Sequence, residues 1–295
     1  MSDYEFLDRY YILAYKTPPR TTVNTLTRVG VPKELMKVVL STDDPNSREL
    51  ALWCREQGLP KPKRFDRSLY LHDPFLSLMS REMVETYFPR TDTPARRFIS
   101  DYEYSTMGPG RYYAVLDDDI SMHWSNPFRP PTSDDPEFDR TVWRRAVEAL
   151  QVPEVWSCCF VNPYTWSASY KDGVVIQTEN SSLWNRKGQS SQQSAWVLCS
   201  DENHTWFSPI VCDYITSSRY AAQGRFSFCL NEYINVSAPN VNGAIWSGDD
   251  PVSRTNKAGQ VAALRILGSS FSATGRKPYK KRVRYMYPHI LEGDN

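Results

Sequence analysis

Three consecutive carboxylates, Asp117, Asp118 and Asp119, follow the apolar run at 112–116 (YYAVL). Adjacent carboxylates repel one another, and a cation is the natural way to stabilise them together. In an extended chain alternate side chains share a face, so Asp117 and Asp119 point one way and Asp118 the other. Two hard oxygen donors just past a buried strand suit Mg or Mn, with phosphate oxygens completing the shell. Such an ion would neutralise a diphosphate leaving group. The spacing does not fit a calcium loop, because the glycine and the distal glutamate of that pattern are missing. The plain alternative is a solvated acidic turn. Three acids directly after an apolar strand argue against chance.

The tail carries a second kind of chemistry. Arg276, Lys277, Lys280, Lys281, Arg282 and Arg284 fall within nine residues, interleaved with Tyr279 and Tyr285. Such a patch suits a nucleic-acid backbone, with tyrosine stacking on a flipped base. It equally suits the diphosphate of a small ligand, or a solvated face. The segment 61–67 (KPKRFDR), with Arg140, Arg144 and Arg145, would extend a basic surface.

The elements that must position these groups read as strand–loop–helix units. The run 10–15 (YYILAY) reads as a buried strand ending at Lys16-Thr17-Pro18-Pro19-Arg20, followed by a short helix at 22–29 that Gly30 stops. The run 37–41 (KVVLS) reads as a second strand, ending at Thr42-Asp43-Asp44-Pro45 before a helix at 46–57 closed by Gly58. This alternation predicts a parallel sheet with crossover helices. Ligands of such sheets sit at the carboxyl ends of the strands, which singles out the loops at 16–20 and 42–45. The segment 61–67 reads as a loop, 75–88 as a helix, 126–139 as a loop and 141–150 as a helix. Beyond about 155, short runs (VWSCCFV, GVVIQT, SAWVLC, FSPIVCDYI) separated by Gly, Ser and Asn predict a more β-rich half, with a helix at 261–267.

Composition sets the outer bounds. A chain of 295 residues with 40% hydrophobic and 23% charged residues has ample material for a core and is not of disordered type. The net charge of +1 gives no global pull towards nucleic acid or membrane. The first eight residues carry three acids and no base, unlike a signal peptide, and no apolar run is long enough to span a bilayer. The expectation is a cytoplasmic protein, in the host cytoplasm if viral, with its six cysteines reduced.

YYILAYKTPPR, KVVLSTDD and RYYAVLDDDI, in this order, resemble the GT-A glycosyltransferases, and among these the small phage-type and TET/JBP-associated enzymes thought to decorate hydroxymethylated pyrimidines in DNA. The resemblance covers about residues 8–125. It implies an α/β, GT-A-like fold, with a Rossmann-like nucleotide-binding sheet and an Asp-x-Asp motif, in a single domain over 1–295. Residues 1–125 would form the nucleotide-sugar half and 126–295 the acceptor half. It implies transfer of a hexosyl or pentosyl group from a nucleotide diphosphate donor, a uridine diphosphate sugar, to a hydroxyl, with Mn or Mg as cofactor and double-stranded DNA carrying modified pyrimidines as a partner.

Carried over by position, Asp119 would hold the metal, and Asp117 the ribose or the metal-bound sugar. Ala14, Tyr15, Lys16 and Arg20 would hold the nucleotide together with Asp118, and Asp43 or Asp44 the base. Arg111 would reach a phosphate. Asp249 or Asp250, in Trp246-Ser247-Gly248-Asp249-Asp250, would accept the proton of the acceptor hydroxyl. The family's usual acid before the pair is replaced by Gly248, so which of the two acts stays open. His289, in Tyr287-Pro288-His289, would complete the metal shell, and Lys277, Lys280, Lys281, Arg282 and Arg284 would meet nucleic acid.

Two rivals stand beside this reading. Asp117-x-Asp119-x-Ser121 also resembles the phosphatase motif of the haloacid dehalogenase superfamily, with Asp117 as nucleophile and Asp119 as acid/base. That motif opens its chain, whereas two strand–helix units precede this one, and Ser121 replaces the usual Thr or Val. The other rival is a non-catalytic glycan- or DNA-binding module.

Overall fold

A computed structural model describes residues 5–70, 92–124, 136, 138–161, 170–171, 174–175, 195–206, 216, 220, 223 and 225–237. The expected helices at 75–88 and 261–267 lie outside these residues, as do the strand at 207–215 and most of the loop at 126–139. So do Asp249, Asp250, His289 and the whole basic tail.

The first half alternates as expected. Strand β1 (Arg9–Leu13) leads to helix α1 (Arg20–Arg28), β2 (Met36–Ser41) to α2 (Ser47–Glu56), and β3 (Lys63–Phe65) follows. The segment 61–67, expected as a loop, thus contains a strand: Lys63–Phe65 pairs in parallel with Val39–Ser41 and extends the edge of the sheet. Helix α3 (Thr93–Met107) precedes β4 (Tyr112–Leu116), and neither α3 nor β5 (Ile120–Trp124) was anticipated. Helix α4 (Thr141–Leu150) and β6 (Val155–Val161) follow. The two-residue strands β7 (Tyr170–Lys171) and β8 (Val174–Val175) pair with each other. Strands β9 (Ala195–Cys199) and β10 (Phe226–Ser237) complete the described elements.

Strands from both halves share one eight-stranded sheet, in the order β3-β2-β1-β4-β9-β6-β10-β5. The first four run parallel, β9 runs against them, β6 and β10 return to their direction, and β5 runs against β10. The β-rich second half is therefore a continuation of the nucleotide-half sheet. Strand residues alternate between two cores, as the period of two requires. Tyr10, Ile12, Val38, Leu40, Ala114, Leu116, Cys158 and Phe160 face one layer, filled by α1, α2 and α4 through Leu26, Trp53 and Trp143. Tyr11, Val39, Tyr113, Val115, Cys159 and Trp196 face the other, filled by Phe98 and Ile99 of α3 with Trp206 and Tyr220. The result is a three-layer α/β/α arrangement.

Only Asp117–Asp119 connect β4 to β5, although three strands separate the two in the sheet. Four peptide steps reach about 14 Å at most, whereas four strand spacings measure about 19 Å. The sheet must curl to close that gap. Strand β10 supplies the bend: its ladder is irregular between Leu230 and Ile234, where it passes from β6 to β5. The far edge thereby folds back onto α1, where Thr25 Oγ1 donates to the Ile120 carbonyl (3.2 Å).

Candidate active site at the carboxyl edge of the sheet

Because β1 to β4 are parallel, their carboxyl ends lie on one edge, and the loops 14–19, 42–46, 66–70 and 117–119 meet there. The acidic triplet is the tight turn between β4 and the folded-back β5. Thr22 on α1 holds it shut. Its hydroxyl donates to the Asp117 carbonyl (2.6 Å) and accepts the Ile120 N–H (2.9 Å), stapling the two ends of the turn. A threonine on the buried face of a helix is otherwise poorly placed, and these two bonds account for it. Thr22→Val keeps the shape but orphans a buried carbonyl and a buried N–H. It is expected to lower the unfolding free energy by about 1–3 kcal/mol. Thr22→Ser is expected to recover most of that loss in a denaturant titration.

The carboxyls of the triplet differ in surroundings. The Asp117 side chain keeps 31% of its surface, and its Oδ1 pairs with Arg96 Nη2 (3.1 Å). Burial pushes its pKa well above the usual carboxylate range. The Arg96 charge opposes that shift, while Asp92, Asp118 and Asp119 add to it. Arg96 itself is buried, paired also with Asp92 through Nε (2.6 Å), with its guanidinium 5.0 Å from the centre of the Trp206 ring. Burial and Asp119 raise Asp118 to about 6, against a hydrogen bond from Thr17 that favours its anion. Burial likewise raises Asp119.

A carboxyl whose pKa is raised on folding binds its proton more tightly in the native state, so ionising it costs stability. For Asp118 the cost appears as pH rises from its ordinary 3.8 through about 6 and is complete above. Asp118→Asn in metal-free buffer is therefore expected to melt above wild type at pH 7.5. The gap should close as pH falls through the same window. A constant gap across that range would rule out ionisation of the buried Asp118 carboxyl as its origin.

The loop after β1 is pinned to the loop after β2. Lys16 stands in the left-handed region (φ 60°), a strained conformation for a residue with a side chain. Asp44 Oδ2 accepts its N–H (2.9 Å), Asn46 Nδ2 donates to its carbonyl (2.8 Å), and Asp44 Oδ1 accepts the Asn46 N–H (2.8 Å). Asp44, only 3% exposed, thus joins the two loops with both carboxylate oxygens. Lys16 Nζ lies 5.3 Å from the Tyr15 ring centre, and Arg20 lies over Trp53 of α2 (5.6 Å). The Ala14 N–H continues the strand ladder to the Val39 carbonyl (3.2 Å). Asp43 bonds Ser41 and pairs with Arg67 (3.4 Å).

The structure thus gathers Asp117, Asp118, Asp119, Tyr15, Lys16, Asp43 and Asp44 at one edge, with Ala14 at the strand end and Arg20 opening α1. Arg111 does not join them, a correction to the expectation that it meets the same ligand. It precedes β4 at the opposite edge, a strand length of about 17 Å away, and pairs with Asp8 (3.6 Å). Thr17, Thr22, Asn46, Asp92 and Arg96 were missed. The basic segment 61–67 also divides: Arg64 Nη2 donates to the Ser47 carbonyl (3.3 Å) and Arg67 turns to Asp43, leaving Lys63 on the other face.

Among the described residues, no group of three His, Cys, Asp or Glu side chains converges as a complete metal cage. The donor set does match an ion that takes one or two carboxylates and fills its shell with ligand oxygens, as Mg and Mn do. Cys54 and Cys199 are free thiols. No helix among the described residues is long and apolar enough to cross a membrane.

No protein-family profile matches the chain, and no curated protein matches it by sequence. Among solved structures it is similar to S. aureus TarS 1-349, at 8% identity and a TM-score of 0.41, over 94% of this chain and 69% of that one. The same protein in complex with UDP-GlcNAc is similar at 9% identity and a TM-score of 0.44, over 96% and 71%. At that distance the likeness assigns neither a fold family nor an activity to this chain.

Proposed function

We propose that the protein is a glycosyltransferase that takes its sugar from a nucleotide diphosphate donor, bound at the carboxyl edge of the sheet. The observation that carries this reading is the acidic turn itself. It is a carboxyl cluster at the carboxyl end of β4, on the same sheet edge as the two loops where such sheets hold nucleotides. The sheet order β3-β2-β1-β4, with an antiparallel strand next to β4, and the motif order in the sequence support a GT-A-like arrangement over a single domain.

In this reading the pinned loops at 14–20 and 42–46 hold the nucleoside. Asp44 shapes the base pocket through the backbone of Lys16, and Asp43, which already accepts from Ser41 and pairs with Arg67, would meet the base. Thr22 and Arg96 hold Asp117 and the turn. Asp119, with Asp117 or Asp118 beside it and His289 from the tail, would hold a divalent ion. Bound there, the ion would offset charge on the departing diphosphate. Asp249 or Asp250 takes the proton of the acceptor hydroxyl as its oxygen bonds to the anomeric carbon and the bond from that carbon to the diphosphate oxygen breaks. The acceptor we favour is a hydroxymethylated pyrimidine of DNA, a choice that rests on the resemblance and the tail (Lys277, Lys280, Lys281, Arg282, Arg284).

The test is a melting-temperature series with Mn and a panel of nucleoside diphosphates, on wild type and Asp119→Ala. Binding to the folded state alone raises the melting temperature. A metal-dependent rise with one nucleotide, lost in Asp119→Ala, is expected. No rise with any nucleotide, together with phosphate release from a simple phosphomonoester, would replace this reading by the phosphatase using Asp117. No rise and no hydrolysis would leave the binding module.

A further inference from the structure

Residues 201–206, which follow β9, form neither helix nor strand. A few bonds hold them in place. The His204 N–H donates to the Asp201 carbonyl (3.1 Å), the Tyr220 hydroxyl accepts the Thr205 N–H (3.1 Å), and Arg97 Nε donates to the Trp206 carbonyl (2.6 Å). The far end of the segment backs the acidic turn, since the Trp206 ring lies against Arg96, the guanidinium that pairs with Asp117.

His204 fastens the middle. It is 6% exposed, and its ring packs against those of Trp156 (5.6 Å), Trp206 (5.9 Å) and Tyr220 (5.8 Å). Trp156 and Tyr220 are themselves stacked (4.5 Å), which closes the box. Among the described residues the buried Nε2 has no hydrogen-bond partner. A neutral imidazole leaves only an idle acceptor there, whereas an imidazolium must donate from both nitrogens, and a buried charged donor without an acceptor is costly. Aromatic rings ordinarily attract a cation, but Tyr220 already carries Arg225 (5.2 Å) and Trp206 carries Arg96 (5.0 Å). Asp201 is the carboxylate that opposes them, and it is engaged by the Asn203 N–H (2.8 Å) and by Arg225 (3.9 Å). Tyr113 and Tyr220, the phenols of the same core, are kept neutral by burial. Burial and then Arg225 push His204 down to about 3, against the pull of Asp201.

We propose that His204 is an acid-sensitive latch: its neutral ring fastens 201–206 in the aromatic box, and protonation releases the segment and takes Trp206 off Arg96. In the released segment the imidazole regains its ordinary 6.5. Between pH 6.5 and about 3 the open form therefore holds a proton that the closed form lacks, and each unit of acid favours opening about tenfold. Above 6.5 both forms are neutral and the latch is indifferent to pH. The device lies in the core behind the acidic turn and does not depend on a sugar donor.

The test is hydrogen–deuterium exchange of the full chain, read by mass spectrometry from pH 7.5 to 4.5 and corrected for the intrinsic exchange rate. Protection of peptides covering 201–206 is expected to be flat above pH 6.5 and to fall about tenfold per unit below it. Peptides of β1 and β4 should stay protected over the same range. His204→Phe, an uncharged ring, should make the 201–206 profile flat throughout. Should that variant melt low, His204→Gln takes its place, being neutral across the series. A flat wild-type profile, a wild-type slope in the neutral variant, or loss of β1 and β4 protection in step with 201–206 each overturns the proposal.

Discussion

Arg96→Met is expected to cost about 2–4 kcal/mol of unfolding free energy, a drop of about 5–12 °C in melting temperature. The side chain keeps 1% of its surface and joins Asp92 and Asp117 beneath the acidic turn. Removing one partner of a buried pair leaves the other charge without compensation, and this outweighs the modest net worth of the pair. Asp117 retains partial access to water, which places the cost towards the lower end of the usual range. Its carboxyl pKa, already raised with Arg96 in place, should climb further without it. Because Asp117 in that variant prefers its neutral form, Arg96→Met/Asp117→Asn should recover at least half of the loss. A double variant as unstable as the single one would show that Arg96 acts through Trp206 packing and not through charge. The measurement is a denaturant titration of the four species of the cycle.

The sequence exposed the elements whose burial follows a simple period, and it hid those whose buried faces are polar. Strands β1, β2 and β4 are unbroken apolar runs because both of their faces are covered. Helix α3 was invisible for the opposite reason. Its inner face carries Arg96, Ser100 and Glu103 at spacings of four and three, a stripe that ordinarily marks the solvent side. Those polar groups are buried because each has a specific partner: Asp117 for Arg96, Tyr113 for Ser100, and Tyr11 with Arg9 for Glu103. Such pairings span up to 94 positions in the chain, and no local pattern encodes them. Strand β10 escaped in a similar way, since Asn231 and Glu232 interrupt its apolar run where the ladder is irregular. The acidic turn was legible because three adjacent carboxylates are costly anywhere. Its supports were not: Thr22 and Arg96 are ordinary surface residues by type, and only the curl of β5 onto α1 and the packing of α3 reveal their roles.

Asp119→Asn is expected to reduce sugar transfer from the nucleotide donor by about 10²–10³-fold, the range typical of losing one charge aimed at the developing charge of a leaving group. The stability outcome should run the other way. Burial raises the Asp119 carboxyl, so holding it ionised at neutral pH works against the fold. The asparagine variant should melt at or above wild type in metal-free buffer while losing turnover. This opposition separates a functional carboxylate from a structural one, since a residue kept for the fold loses both together. Asp117→Asn should lose turnover as well, and because burial raises that carboxyl even with Arg96 beside it, the variant should not melt below wild type at neutral pH. Equal turnover in wild type and Asp119→Asn, measured with saturating donor and metal, would remove Asp119 from the catalytic machinery and with it the reading of the acidic turn as a donor site.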